Sequence, residues 1–454
     1  NMGAFSKVEY TDSSDVIIDG GKVTTPSSNY SMIVVSKQLN IWFVLFVVLI
    51  IAAVVFVVLA AWKAGLFVKK EKPHKPVKEH RFAVLVSARN ESAVIANLIE
   101  SIKDQTYPEE LVDIFLVADN CTDNTAEIAR NCGANVYERF DKVNVGKGYA
   151  LNFMLNKIKE EYGEDKFDAF FVFDADNVLD PNYIEEMNKG FSDGYDILTS
   201  YRNSKNYGDN WISAGYALWF LRESMYLNYP RMLLNTSCAI SGTGFMFSKN
   251  ILKRIGNWKY FLLTEDIEFT VDHVTNDYKI GFCKDAMLFD EQPNTFTQSV
   301  RQRMRWAKGY IQVFCNYGKH LMRGMFKGSS FSCFDMAMNI MPALIITTSN
   351  LAVNLTALVA GLAAGVDVSP LLGGILPCLW GMYTTLYVIG AITTVTEWKK
   401  IYTTPFKKIL YTFTFPIFMF TYIPITFMAF FKKVEWKPIV HTKSKNLADI
   451  KNMN

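Results

Sequence analysis

Short apolar runs alternate with helical patterns along the stretch from Arg81 to Cys315. Four runs have the length and composition of buried strands: Phe82–Ser87, Val112–Ala118, Val136-Tyr137 and Ala169–Phe173. Helical patterns stand between them, at Ile95–Ile102, Cys121–Cys132 and Tyr149–Ile158. Strands and helices in alternation predict an α/β domain whose mainly parallel sheet is covered by helices on both faces.

Longer apolar runs lie outside this stretch, at Ile41–Trp62, Met336–Leu362, Leu371–Thr394 and Ile409–Phe431. Each run is longer than the roughly 20 residues that cross a bilayer. Lysines from Lys63 to Lys78 follow the first run, and positive flanks stay in the cytosol, so the α/β domain should be cytosolic. Pro416 and Pro424 interrupt the last run, which predicts a broken or re-entrant segment and a cytosolic C-terminus.

These patterns predict six parts along the chain. They are an extracytoplasmic segment at 1–40, a transmembrane helix at 41–62, a cytosolic α/β domain at 81–315, amphipathic interface helices at 298–330, a transmembrane channel region at 336–431 and a cytosolic tail at 432–454. The length of 454 residues, half of them hydrophobic, suits one such domain plus a membrane region.

Charge and cysteine content exclude several classes of protein. The formal net charge is only +3, which gives no support for nucleic-acid binding. Seven cysteines are scattered without a CxxC pair, and this favours free thiols in a reducing compartment over a disulfide framework. Five scattered histidines form no zinc motif.

Polar residues cluster directly after three of the predicted strands. Ser87–Glu91 follow the first strand, Asp119 the second, and Asp174 with Asp176 the fourth. Ligands bind at the carboxyl ends of such strands, so these positions predict a nucleotide crevice, although turns and helix caps use the same residue types. The dinucleotide fingerprint GxGxxG is missing after the first strand, and Lys147 can reach a phosphate as a point charge.

Asp174-Ala175-Asp176 ends the apolar strand Phe170–Phe173. Two carboxylates spaced by one residue at a strand end can both approach a divalent cation. Mg²⁺ and Mn²⁺ prefer carboxylate and phosphate oxygens, so the motif predicts a metal that neutralises a departing diphosphate.

Thr264-Glu265-Asp266 precedes a helical pattern through Ile267, Phe269 and Val271. An acid at this place either caps the helix or acts as a general base on an attacking hydroxyl. Spacing alone favours the cap over the base.

Gln302–Trp306 lies in a basic amphipathic stretch that contains Arg301, Arg303 and Lys308. Such a stretch can rest on lipid headgroups as an interfacial helix. Arg305 also suits bidentate phosphate recognition, and Trp306 offers a flat face to a sugar ring. Both roles are compatible with one helix.

The three motifs in this order, with membrane segments beside them, closely resemble the membrane-bound family 2 glycosyltransferases. That group includes cellulose, chitin, hyaluronan and poly-N-acetylglucosamine synthases. The resemblance implies a GT-A fold, which is Rossmann-like, a UDP-sugar donor, a divalent metal that is Mg²⁺ or Mn²⁺, and inverting transfer.

The resemblance also implies roles for individual residues. Donor-binding roles fall to Asn90, Glu91, Asp119, Lys147, Asp174, Gln302 and Arg305. Metal-binding roles fall to Asp174 and Asp176. Catalytic roles fall to Asp266, Arg305 and Trp306, with Asp266 now favoured as the base. Acceptor-binding roles fall to Gly242, Thr243, Gly244, Glu265 and Trp306.

The resulting hypothesis is an integral plasma-membrane synthase whose catalytic domain faces the cytoplasm. It would polymerise a β-glucan with 1,4 or 1,3 linkages from UDP-glucose and pass the growing polysaccharide through its own helices. Alternatives are a poly-N-acetylglucosamine synthase, an enzyme that transfers one sugar to a lipid, and an export channel without catalysis. The last alternative leaves the three acidic motifs unexplained.

Overall fold

The computed structural model describes residues 73–434 except 329, 341, 366, 370–372 and 374, then residues 441 and 444–453, and four short strands near the N-terminus. The chain divides into two compact units, Asn1–Glu71 and Lys72–Asn454. In the first unit Val8–Glu9 pairs with Ile33–Val34, and Ile17–Asp19 pairs with Lys22–Thr24, both antiparallel. The transmembrane helix predicted at 41–62 lies outside the described residues.

One eight-stranded sheet organises the second unit. Its strands in chain order are β1 (Phe82–Ala88), β2 (Val112–Asp119), β3 (Asn135–Arg139), β4 (Ala169–Asp174), β5 (Val178–Leu179), β6 (Ile197–Ser204), β7 (Phe245–Ser248) and β8 (Ile280–Asp290). In space they stand in the order β3-β2-β1-β4-β7-β6-β8-β5. The four strands predicted from sequence are β1 to β4, each found within two residues of its predicted bounds at either end.

The sheet is mixed, which differs from the mainly parallel sheet predicted. β1 to β4 are parallel to one another, as expected from their alternation with helices. β7 runs antiparallel between β4 and β6, and β5 runs antiparallel to β8. The order of elements along the chain does not reveal β7, because this strand inserts beside β4 from about 70 residues downstream.

The α-helices of the second unit are α1 (Ile95–Lys103), α2 (Thr125–Asn131), α3 (Lys147–Tyr162), α4 (Tyr183–Ser192), α5 (Trp211–Arg222), α6 (Tyr229–Leu233), α7 (Lys249–Ile255), α8 (Glu265–Thr275), α9 (Phe296–Gly324), α10 (Ser330–Ile340), α11 (Pro342–Ala363), α12 (Ile375–Thr396), α13 (Pro405–Phe420), α14 (Tyr422–Phe431) and α15 (Leu447–Lys451). A π-helical turn at Glu223–Asn228 joins α5 to α6, and 3₁₀ turns lie at Glu109–Leu111 and Trp398–Lys400.

Helices cover both faces of the sheet, as the sequence predicts. Successive residues of β1 point to opposite faces, so Leu85 packs with Leu151 of α3 while Val84 packs with Leu98 of α1 and Met187 of α4. All five side chains are fully buried. Burial of one such side chain contributes about 1.5–3 kcal/mol, and the two clusters fix the strand ends where the polar residues lie.

Two of the described helices are long and apolar enough to cross a membrane. They are Pro377–Thr396 and Pro405–Phe431. The single apolar run predicted at Met336–Leu362 is divided between two helices. Met336 and Ile340 of α10 pack into the core of the α/β domain, and α11 begins only at Pro342. The boundaries of the six predicted parts remain predictions.

The second apolar helix breaks at Thr421, between α13 and α14, near the interruption that the two prolines predict. Arg303 of α9 is fully buried at this break and donates from Nη1 to the Phe418 carbonyl, at 3.2 Å, and to Thr421 Oγ1, at 2.6 Å. The Phe418 carbonyl also accepts the Thr421 N–H, at 3.2 Å, and the Thr421 hydroxyl, at 2.6 Å, so Arg303 adds a charged donor to a helix end that is already capped. The contact joins the helix of the Gln302–Trp306 motif to the apolar region.

Candidate active site

Most of the residues singled out in the sequence line one cleft at the carboxyl ends of β1, β2 and β4. They are Glu91, Asp119, Lys147, Asp174, Asp176, Gly242, Glu265, Asp266, Gln302, Arg305 and Trp306. Parallel strands place their carboxyl ends at one edge of the sheet, which is how residues far apart in sequence meet here. Asn90, Thr243 and Gly244 are not part of the cleft wall, and they contact other groups behind it.

The end of β4 presents Asp174 and Asp176 to the cleft. Lys147, the first residue of α3, donates from Nζ to Asp174 Oδ1 at 2.5 Å and to the Gly242 carbonyl at 2.8 Å. Burial raises the pKa of Asp174, but the Lys147 ammonium together with the guanidinium groups of Arg202 and Arg305 holds this pKa below its usual range. Asp176 Oδ2 accepts the Glu291 N–H at 2.8 Å. Lys147 therefore neutralises the first acid in the place where the sequence predicts a phosphate contact.

Thr243 and Gly244 hold the loop that carries Gly242. Thr243 Oγ1 accepts the Asp174 N–H at 2.9 Å and donates to Asn177 Oδ1 at 2.5 Å. Gly244 has φ +66°, and a Cβ there would come within 1.9 Å of the Leu288 side chain. These two residues support the cleft wall, whereas the sequence predicts direct acceptor contacts for them.

Asp266 lies in the first turn of α8 and is 9% exposed. Its Oδ2 accepts the Gly242 N–H from the β7 side of the cleft at 2.7 Å. The N-cap of α8 is Thr264, and no side chain caps this helix end, so the Gly242 contact of Asp266 is not a helix cap. Burial raises the pKa of Asp266 above its usual range, although the neighbouring Ile267 and Gly242 N–H groups and the cations of Lys147 and Arg305 favour the charged form.

Glu265 is the neighbouring acid at the start of α8. Burial first, and then the negative charge of Asp266, raise the pKa of this carboxyl above its usual range. Two adjacent acids with raised pKa values in one cleft are a feature of sites that transfer protons.

The Gln302–Trp306 motif forms part of α9 and closes the other side of the cleft. Trp306 packs edge-on against Tyr216 and Phe220, with ring centroids 5.6 and 6.1 Å away. The Arg305 guanidinium donates to the Leu263 carbonyl at 3.4 Å. Gln302 Oε1 is buried without a hydrogen-bond partner among the described residues. A buried acceptor of this kind costs free energy unless a ligand donates to it.

The side of the cleft that contains Asp119 has an ion pair that sequence reasoning missed. Arg139, the last residue of β3, donates from Nη1 to Asp119 Oδ1 at 2.5 Å. Asn90 has φ +58° and its Oδ1 accepts the Thr122 N–H at 2.8 Å, which directs the amide away from the cleft. Arg139 was missed because the apolar pattern marks only Val136-Tyr137 and stops before the polar end of this strand.

His441 is the second residue that sequence reasoning missed. Its Nδ1 lies 2.8 Å from Glu91 Oε2, and its Nε2 lies 3.8 Å from Asp176 Oδ2. Burial alone would lower the pKa of His441, but the Asp176 and Glu91 carboxylates raise it to about 10, so the ring is an imidazolium. Sequence analysis assigned this position to the cytosolic tail, where no local pattern indicates a contact with residues 350 positions earlier.

The residues beyond His441 lie against the same domain. Asn97 Nδ2 donates to Ser444 Oγ at 3.0 Å, and Ile450 of α15 is buried beside Val178 and Phe289. The last described residues therefore pack beside the cleft.

No group of three or more His, Cys, Asp and Glu side chains among the described residues is spaced as a ready-made metal site. The donors around Asp176 nevertheless have the types that Mg²⁺ and Mn²⁺ accept, namely the carboxylate oxygens of Asp174, Asp176 and Glu91. Their chemistry fits a divalent ion.

Sequence and structure comparisons relate the chain to known proteins. The profile of the family described as "Glycosyltransferase like family 2" matches residues 80–309. A probable glycosyltransferase, YdaM, of Bacillus subtilis is 24% identical over 262 residues, which is 52% of this chain and 57% of that protein. The poly-beta-1,6-N-acetyl-D-glucosamine synthase of Staphylococcus epidermidis is 29% identical over 253 residues, or 55% of this chain and 58% of that protein.

A third relative matches a longer part of the chain. It is the beta-monoglucosyldiacylglycerol synthase of a Nostoc species, 24% identical over 388 residues, which is 79% of this chain and 76% of that protein. Among solved structures, the mannosyltransferase PcManGT of Pyrobaculum calidifontis in complex with GDP-Man and Mn²⁺ covers 82% of this chain and 93% of its own, at 16% identity and a TM-score of 0.48.

Proposed function

We propose, from the premise that this chain belongs to the family 2 glycosyltransferases, that it transfers glucose from UDP-glucose with inversion and builds a β-glucan at a membrane. Proteins of this class transfer a hexose. The proposal is that the donor is UDP-glucose, that the product is a β-glucan polymer and that the polymer is exported. The observation that carries it is the Asp266 carboxylate, buried in a cleft between an acid-bearing strand end and an Arg-Trp pair.

Asp266 would act as the general base. Its carboxylate takes the proton from the acceptor hydroxyl while the hydroxyl oxygen attacks the anomeric carbon of the donor. The bond between that carbon and the diphosphate oxygen breaks, and UDP leaves with the electron pair. A single displacement inverts the anomeric centre, so an α-linked donor gives a β-linked product. The raised pKa of Asp266 makes it a stronger base than an ordinary aspartate.

Cations on the opposite wall would bind the leaving diphosphate. Arg305 presents a planar guanidinium to the cleft, and Lys147 can exchange its Asp174 contact for a phosphate oxygen. Asp174 and Asp176 would hold a divalent ion. When bound, Mg²⁺ or Mn²⁺ supplies charge neutralisation for the diphosphate.

Trp306 would position the acceptor, and Gln302 would bind the donor sugar. The ring of Trp306 is fixed by Tyr216 and Phe220, and the free Gln302 Oε1 can accept a hydrogen bond from a sugar hydroxyl. The apolar helices Pro377–Thr396 and Pro405–Phe431 support membrane association. Export of the polymer through this region, with the catalytic domain on the cytoplasmic side of the plasma membrane, completes the proposal.

Transfer of one glucose to a lipid is the second candidate. It is favoured by the Nostoc relative, which is named for a monoglucosyl lipid and whose match extends over 79% of this chain. The same relative favours glucose as the donor sugar. The Staphylococcus relative, which is named for a polymer of N-acetylglucosamine, supports UDP-N-acetylglucosamine as the competing donor.

Turnover of the purified full-length protein with UDP-glucose and UDP-N-acetylglucosamine tests the donor. We expect the protein to release UDP and form a β-glucan when it is supplied with UDP-glucose. Incorporation of sugar from UDP-N-acetylglucosamine alone would refute the choice of glucose. A product that extracts into organic solvent as a single glycolipid would favour the second candidate.

Sealed vesicles with the catalytic face outward test export. Labelled polymer should collect in the lumen, protected from added glucanase until detergent is supplied. Polymer that is digested at once would refute translocation.

A further inference from the structure

We propose that Arg202, held by Asp290, is a positioning residue that locks the Ser241–Gly242 peptide in the orientation that Asp266 needs. The inference rests on the proposed role of Asp266 as the base. Arg202 belongs to β6 and Asp290 to β8, and neither residue is singled out by the sequence motifs.

The base depends on the orientation of one peptide unit. The Gly242 N–H donates to Asp266 Oδ2 at 2.7 Å. Gly242 has φ +79°, and glycine populates positive and negative φ about equally, so the preceding peptide can flip at low cost. A flipped peptide would direct the Ser241 carbonyl at the Asp266 carboxylate, where two negative groups repel.

Arg202 holds the other end of the same peptide unit. Its Nη1 donates to the Ser241 carbonyl at 2.7 Å, so the C=O and the N–H of one peptide are fixed from opposite sides. The Thr243 N–H also donates to this carbonyl, at 2.9 Å, but it lies within the same loop and can move with it. Arg202, which belongs to strand β6, therefore connects the Ser241 carbonyl to the sheet.

Asp290 and Phe220 fix the guanidinium itself. Arg202 Nε donates to Asp290 Oδ2 at 2.7 Å, and Gln292 Nε2 occupies the other carboxylate oxygen at 2.6 Å. The guanidinium carbon lies 3.7 Å from the centroid of the Phe220 ring, which packs in turn against Trp306. Asp290 is only 3% exposed, so removal of either partner would leave a buried charge without its counter-charge. Arg202 therefore fixes the position of the Ser241–Gly242 loop relative to the Trp306 ring, which is predicted to bind the acceptor.

Replacement of Arg202 by methionine tests the proposal in the full-length enzyme. Without the donor the peptide can flip, so kcat should fall about 10- to 100-fold, the range expected for a misplaced catalytic group. KM for the UDP-sugar should stay within a few-fold. Arg202→Lys should behave like Arg202→Met, because an ammonium cannot bind Asp290, Ser241 and Phe220 together.

The pH profile separates positioning from packing. Loss of a hydrogen bond to the Asp266 carboxylate should move the acid limb of kcat to higher pH by about one unit. The other charged or titratable groups facing Asp266 are Glu265, Lys147, Arg305 and Tyr310, and the substitution leaves all four in place.

Arg231 provides a matched control. It forms a comparable ion pair with Asp335, from Nε at 2.6 Å and from Nη2 at 3.2 Å, and neither residue lines the cleft. Arg231→Met should lower the melting temperature and leave the acid limb of kcat unmoved. A rise in KM alone for Arg202→Met, or an unmoved acid limb, would overturn the proposal and assign Arg202 to donor binding or to packing.

Hydrogen–deuterium exchange of the 241–244 segment gives a result that needs no turnover. Exchange there should be faster in Arg202→Met than in the wild type and unchanged in Arg231→Met, and equal exchange in all three would overturn the proposal. If Arg202→Met does not fold, Asp290→Asn is measured instead, with the same expectations. A wild type that turns over no UDP-sugar would refute the proposed function, while the exchange experiment would still decide the role of Arg202.

Discussion

Asp266→Asn is the substitution that addresses the proposed chemistry most directly. The asparagine Oδ1 can occupy the position of Asp266 Oδ2 and keep the hydrogen bond from Gly242, which is 2.7 Å long, so the loop should stay in place. What disappears is the proton affinity of the carboxylate. A general base contributes about 10²- to 10⁴-fold to a rate, which corresponds to about 3–5 kcal/mol of activation free energy.

Donor binding should survive this substitution. The groups expected to contact UDP lie on other elements, with Asp119 at the end of β2, Lys147 at the start of α3 and Arg305 on α9. Loss of the Asp266 charge also removes a cause of the raised pKa of Glu265, so this neighbour should titrate closer to its usual range. The folded state should be as stable as the wild type, because a buried charge is removed.

The assay combines sugar transfer under saturating donor with UDP affinity by calorimetry. Asp272→Asn is the control, since Asp272 lies on the same helix and accepts a hydrogen bond from Tyr260, at 2.7 Å, outside the cleft. Transfer by Asp266→Asn within a few-fold of the wild type would exclude Asp266 as the base. A loss of UDP affinity as large as the loss of rate would instead assign Asp266 to donor binding.

Four further predictions follow from the same site. Chelation of divalent ions should stop transfer, and Asp176→Ala should do so with metal in excess; full turnover in chelator would exclude a metal. Trp306→Ala should impair transfer to a sugar acceptor more than hydrolysis of the UDP-sugar, because water needs no aromatic face, and equal losses in the two assays would make Trp306 structural. The kcat profile should lose activity as pH falls through the raised pKa of Asp266, at a pH above the value of about 4 of an ordinary aspartate; an acid limb at or below that value would contradict the base assignment. Gly244→Ala should lower the free energy of unfolding by more than about 1 kcal/mol, measured in denaturant, since φ is +66° and the new Cβ would meet Leu288; an unchanged value would mean that the loop relaxes freely.

Local sequence patterns predict the parts of the site that follow directly from a strand or helix end. Asp174 and Asp176 could be placed because an apolar strand stops in front of them, and Asp266 because an acidic triplet precedes a helical pattern. The parallel half of the sheet could be predicted because a helix stands between each of its strands and the next, from β1 to β4.

Contacts that depend on distant parts of the chain could not be predicted in this way. His441 reaches Glu91 across 350 positions, and the antiparallel strand β7 is recognisable only from its pairing with β4. Met336 belongs to a mainly apolar run without a charged residue, and hydropathy does not distinguish burial in a protein core from burial in lipid. Arg202 has no motif, because its role depends on a carbonyl 39 positions away.

The buried Arg303 bears on the engineering of chimeric enzymes. For an exchange of whole domains, the hydropathy profile suggests a boundary between residues 315 and 336, ahead of the apolar run that begins at Met336. Such a boundary would separate Arg303 from the carbonyl of Phe418 and from Thr421 of the original chain. The transplanted α9 would then bring a desolvated guanidinium to a helix end that did not evolve to receive it, at a cost of several kcal/mol. A chimera that keeps α9 together with the Pro405–Phe431 helix of the same parent should express and fold, whereas one that exchanges either alone should not.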